Sequence, residues 1–162
     1  MQLIKLTVLS LITIAMAFSL SSCEKDAERK KVVEYLKSGI PMTGAQENPQ
    51  TPSSALGSLD VYYAKNSKIL SYKVTWQGLA DTIVGMHIHG VAPSGYSTGI
   101  VQNILTTKNE AAFPFRGGSY SGTMLVDGVV IKEEYLLDGY YYLNIHSKTY
   151  PGGEIRGQIK FQ

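Results

Sequence analysis

The chain has 162 residues, with 15 Lys and Arg against 13 Asp and Glu and a formal net charge of +2. That length suits one domain, and so even a charge balance, with the basic residues scattered, argues against a nucleic-acid partner. Sixteen glycines and eleven tyrosines, together with many Val, Ile and Thr, point to an all-β domain.

The chain opens with Lys5 and an apolar run from Leu6 to Leu20. The run is too short for an ordinary membrane span and reads as a signal peptide over residues 1–22. It ends in Leu20-Ser21-Ser22-Cys23, which contains the only cysteine. This arrangement resembles a bacterial lipoprotein signal. The resemblance implies cleavage before Cys23, lipidation of Cys23, and a membrane anchor in the cell envelope. The expected location is the outer membrane, facing the periplasm or the cell surface. A single acyl chain holds only weakly, at about 0.8 kcal/mol per buried CH₂, and the resemblance implies several. A lipidated Cys23 leaves no thiol for a disulfide, a nucleophile or a metal ligand. Residues 23–37 are expected to form a charged tether, with a turn or two of helix near Val32–Leu36. Its start, Glu24-Lys25-Asp26-Ala27-Glu28, resembles the acidic tags that send some lipoproteins to the cell surface.

The domain itself is expected over 38–162. Its candidate strands are Gly39–Gly44, Ala55–Ala64, Lys68–Gln77, Ile83–Gly90, Gly99–Leu105, Ser119–Val126, Tyr140–Ser147 and Glu154–Phe161. Alternation is clearest in Leu59, Val61 and Tyr63 and in Leu70, Tyr72, Val74 and Trp76. Lys65-Asn66-Ser67 reads as a turn. Tyr150-Pro151-Gly152-Gly153 carries Pro-Gly turn chemistry and predicts a hairpin between the last two strands. Lys132–Leu137 predicts one helical turn closed by Gly139. About eight short strands at this spacing predict a Greek-key β-sandwich or flattened barrel. Two long loops, Val91–Thr98 and Lys108–Gly118, are natural places for function.

The chain has three histidines. His87 and His89 share one face of a strand, because a strand has period two, and Met86 and Ile88 take the other. In the next-to-last strand Asn144 and His146 oppose Leu143 and Ile145. In the last, Glu154, Arg156 and Gln158 oppose Ile155 and Ile159. If the three strands pair, the histidines gather on one sheet with a carboxylate and an arginine nearby. His87, His89 and His146 would then form a three-nitrogen site for Cu or Zn, with an open position. Asn144, Glu154 and Arg156 would orient the ligands. The competing reading is a structural network. In it, neutral imidazoles and a Glu154–Arg156 pair pin the loop Val91–Thr98 to the sheet. Arg156 and Glu154 are also candidates to grip a carboxylate or phosphate.

Several pieces together resemble the CHRD domain family. They are Gly44-Ala45-Gln46-Glu47-Asn48-Pro49, Ala55–Gly57, Leu70-Ser71-Tyr72, Met86-His87-Ile88-His89-Gly90 and Leu137-Asp138-Gly139-Tyr140-Tyr141. Asn144-Ile145-His146 and Pro151-Gly152-Gly153-Glu154-Ile155-Arg156-Gly157-Gln158 complete the set. The resemblance runs roughly from Ile40 to Phe161 and implies an extracytoplasmic β module. The chordin copies of this domain belong to an extracellular protein that binds growth factors, but the resemblance implies no named activity. The candidate for a protein or glycan contact is a tyrosine-rich patch from the consecutive Tyr140, Tyr141 and Tyr142. A more distant likeness is to Cu,Zn superoxide dismutase, also a Greek-key barrel. There a Gly-x-His-x-His strand and a later strand histidine bind copper, in the order of His87, His89 and His146. The fourth copper histidine and the zinc ligands have no counterpart here. Catalysis otherwise finds little support. Gly95-Tyr96-Ser97-Thr98-Gly99 has the Gly-x-Ser-x-Gly spacing but falls in a loop that leads into a strand, not at the strand-to-helix turn a nucleophile elbow needs, and the adjacent Glu133 and Glu134 do not make a glycosidase pair. The expectation is a non-catalytic binding module, with a copper- or zinc-binding, redox-active protein as the alternative.

Overall fold

A computed structural model describes residues 32–105 and 116–162. The expected signal peptide, Cys23 and most of the expected tether lie outside the described residues, as does most of the loop 108–118.

The unit Glu34–Gln162 is built on β1 (Glu34–Thr43), β2 (Leu56–Ala64), β3 (Ile69–Gln77), β4 (Ile83–Gly90), β5 (Ile100–Asn103), β6 (Gly118–Leu125), β7 (Tyr141–Ser147) and β8 (Ile155–Ile159). A 3-10 turn, Gly44–Gln46, follows β1, and a short helix, α1 (Glu133–Leu137), precedes β7. The strands form one antiparallel sheet in the order β5-β4-β7-β8-β1-β2-β3-β6. The sheet curls until its two end strands meet. There Gln102 Nε2 on β5 donates to the carbonyl of Thr123 on β6 at 2.8 Å. Read round this nearly closed barrel, the order is 1-2-3-6-5-4-7-8, and the β3–β4 and β6–β7 connections each pass two strands. This is the predicted Greek key.

The alternation in β2 and β3 has the expected cause. Leu59, Val61, Tyr63, Leu70, Tyr72, Val74 and Trp76 all point inward and are buried. Met86 and Ile88 from β4, Leu143 and Ile145 from β7, and Ile155 and Ile159 from β8 meet them in one core. At the β7–β8 hairpin Gly153 N–H donates to the Tyr150 carbonyl at 3.1 Å, so Pro151 and Gly152 sit at the turn's centre. Gly139, at φ +80°, ends α1.

One local expectation fails. The segment near Val32–Leu36 was expected to turn helically, but from Glu34 onward it is strand, with Tyr35 opposite Tyr63 and Lys37 opposite Val61. A bulge between Lys37 and Ile40 shifts the register. Gly39 takes φ +70° there, and its N–H donates to Asp60 Oδ1 at 2.8 Å. The bulge moves the inward positions from odd to even numbers, so Tyr35 before it and Ile40 and Met42 after it all face the core. A broken period of this kind hides a strand from pattern reading.

Candidate functional site

The outer face of β4, β7 and β8 is largely covered, with His87 and His146 half-buried. The loop after β4 and the segment after β1 fold over it, so β7 and β8 are buried on both faces. In the register, His87 lies opposite Asn144 and His89 opposite Tyr142, while Asn144 lies opposite Arg156 and Tyr142 opposite Gln158. Three antiparallel strands therefore bring the histidines of β4 and β7 to one place, with β8 alongside. A Cβ on Gly85 would come within 2.9 Å of His87 Cε1, so glycine at that position makes room for the imidazole.

The donor atoms converge. One ring nitrogen from each of His87, His89 and His146 lies within 4.8 Å of the other two. The His87 Nδ1 to His146 Nε2 separation is 3.0 Å. Ligands of a tetrahedral ion with bonds of about 2.0 Å stand roughly 3.3 Å apart, so small side-chain adjustments would close the set around one ion.

Hydrogen-bond partners decide where the protons sit. His146 Nδ1 faces the Pro151 carbonyl at 3.0 Å, and His89 Nδ1 faces the Thr98 carbonyl at 2.9 Å. A carbonyl only accepts, so both Nδ1 atoms carry hydrogen, and in the neutral rings both Nε2 atoms are bare. His87 Nδ1–H can then donate to His146 Nε2. His89 Nε2 has no such donor. It faces Asn144 Oδ1 at 3.1 Å, an oxygen that also lies 3.0 Å from His146 Nε2. With the amide in this orientation the pocket sets lone pairs against one another. Burial, with His146 and His89 nearby, pushes His87 down to about 4. Burial also lowers His146, against the Pro151 hydrogen bond that raises it.

A stack runs sideways from the cluster. The Tyr142 ring lies parallel to His89, 4.8 Å between centroids and 2° between planes, and the Arg156 guanidinium sits 3.4 Å above the Tyr142 centroid. Arg156 Nη1 donates to the Tyr96 carbonyl at 2.8 Å and Nη2 to Gln158 Oε1 at 2.7 Å. Gln158 Nε2 donates to the carbonyls of Ala92 and Gly139. These bonds, with His89 to Thr98, tie the loop 91–99 down.

Glu154 does not join this group. It lies in the bend just before β8, where strand parity has not begun. Its Oε1 accepts from Ser53 Oγ at 2.6 Å and from Ala80 N–H at 2.8 Å. The expected Glu154–Arg156 pair is therefore replaced by a separate knot that fastens the segment before β2 to the one after β3. The carboxyl that does stand beside Arg156 and Asn144 is Glu47, which sequence reasoning passed over. The Asn144 amide hydrogen-bonds it, and burial, opposed by Arg156, raises it to about 7. Its Oε1 is buried without a partner. Gly153 permits this closeness, since a Cβ there would lie 2.5 Å from Glu47 Oε1. The only signal available was Glu47's place in the Gly44–Pro49 motif.

No curated protein and no solved structure matches the chain. The CHRD domain model matches residues 39–159, a span that takes in the whole barrel from the bulge of β1 to the end of β8 and every residue of the histidine cluster. The chain belongs to the CHRD domain family.

Proposed function

We propose that this protein is a lipid-anchored, non-catalytic module of the cell envelope that holds one copper or zinc ion on His87, His89 and His146. The observation that carries the reading is the proton placement. Two Nδ1–H groups are committed to backbone carbonyls, the arrangement that orients ligating histidines, and the freed Nε2 atoms turn towards His87 and towards each other. Imidazole suits both metals. The lipid anchor rests on the Leu20–Cys23 pattern. A superoxide-dismutase-like redox activity is no part of the proposal, because the sequence holds no fourth histidine.

The test is metal content and affinity of the purified chain, with His89→Ala as control. Stoichiometric Cu or Zn in the wild type, lost in the variant, supports the proposal. A metal-free wild type, with His89→Ala merely less stable, overturns it and leaves a structural network.

That second reading has its own supporting observation. If the Asn144 amide is turned, its NH₂ donates to the bare His89 Nε2, His146 Nε2 keeps the His87 donor, and the amide oxygen accepts from a protonated Glu47. Such a network needs no metal, and it serves a module whose ligand is a protein or glycan met by the loops.

A further inference from the structure

Beside the histidine cluster, on the far side of Tyr142, lies a cleft of about 410 Å³ whose walls include Glu47, Asn48, Ser94, Gly95, Arg156 and Gln158. That is the size of a small-molecule site. Its one cation is Arg156, whose side chain is 1 % exposed. Two N–H bonds of the guanidinium are spent on the Tyr96 carbonyl and Gln158 Oε1. One of its flat faces lies on Tyr142. No carboxylate among the described residues comes within the 4.0 Å of an ion pair. A buried guanidinium without a close counter-ion is costly, and it is also preorganised for one. Glu47, with its unpartnered and buried Oε1, forms the neighbouring wall.

We propose that this cleft binds a small hydroxylated carboxylate, with the ligand's carboxylate on the Arg156 guanidinium and its hydroxyls on the surrounding amides. The single cation selects one negative charge, and the Glu47 carboxyl beside it disfavours a doubly charged phosphate. The N–H bonds of the guanidinium beyond those two suit a carboxylate's oxygens. Gln46, Asn48 and Gln50 add neutral amides to the walls, which fits a polyol body better than an apolar one. None of these residues is a metal ligand in the reading above, so this proposal stands or falls separately from it.

The experiment is a calorimetric titration of the full chain, stripped of metal so that the histidines cannot take the anion. D-glucuronate is the probe and D-glucose its neutral counterpart. Saturable binding of glucuronate without binding of glucose is expected. Arg156→Lys should weaken it about tenfold or more, the loss of a charge-assisted bond. Because that variant touches a buried residue, Ser94→Trp serves as the second arm. Ser94 is exposed at the rim, so the change should plug the cleft and abolish binding while leaving the melting temperature unchanged. Equal binding of glucose, no glucuronate binding at millimolar concentration, or unchanged binding in a folded Ser94→Trp protein would each overturn the proposal.

Discussion

In β2 and β3 the inward side chains are buried while outward ones such as Tyr62 and Lys73 meet solvent. In β7 and β8 both sets are enclosed, with Leu143 and Ile145 on one face and Asn144, Arg156 and Gln158 on the other. The first pair behaves as an ordinary antiparallel sheet with one wet face. In the second pair the inner face supplies packing and the covered outer face supplies hydrogen-bonded polar groups, which burial permits only when they are partnered. The comparison shows where to look for chemistry in a barrel whose fold alone names none. It is the face where polar residues are covered.

The contrast can be broken at four points. The largest effect belongs to the inner face of the doubly buried half. Leu143→Ala should cost about 2–5 kcal/mol by denaturant unfolding, since Leu143 is fully buried. On the covered outer face, Asn144→Ala removes the amide shared by two histidines and Glu47, and leaves their buried atoms short of partners. A loss of about 1–3 kcal/mol is expected, and if metal binds, its affinity should fall about 10–100-fold. A cost below that of an exposed substitution would show the amide to be idle.

The third point is pH, and two groups act in opposite directions. His87 titrates at about 4 in the folded protein against an ordinary 6.5. Between those values only the unfolded chain takes the proton, so the metal-free protein loses stability as pH falls from about 6.5 to about 4. Glu47 titrates at about 7 against an ordinary 4.5. Between those values the folded chain keeps a proton the unfolded chain has released. Its contribution is complete below about 4.5 and fades as pH rises through about 7. The two windows overlap between about 4.5 and 6.5, where the opposite slopes offset one another. Glu47→Gln should unmask the His87 limb, with urea midpoints that fall as pH drops from about 6.5 to about 4. The smallest effect is on the wet face of the other half, where Lys73→Ala should stay within about 0.5 kcal/mol.

Much of this was legible in the sequence, because period two is a strong signal where one face is apolar. Leu59, Val61 and Tyr63 announce β2, and the same rule places His87 with His89 and Asn144 with His146 before any pairing is known. What escaped has a common cause, which is that parity must be counted from the right residue. The bulge at Ser38–Gly39 interrupts the count in β1, so the strand before it was read as tether. Glu154 precedes the first paired residue of β8, so its side chain follows the bend and not the strand. Glu47 carries no periodic signal at all. It reaches Asn144 and Arg156 because the loop after β1 is laid over the sheet, a contact between residues far apart in the chain.

The bond from Gln102 to Thr123 leaves the cylinder closed at one place by a side chain where every other neighbouring pair is joined through backbone. Along that line β5 and β6 each keep an edge with no strand paired to it among the described residues. Deuterium should therefore enter the backbone first at this slit and last in β7, which has a ladder on both sides. The molecule is a cylinder with a latch, and opening the latch would uncurl the sheet from β5 and β6 while β7 and β8, with the buried stack on their outer face, were still in register.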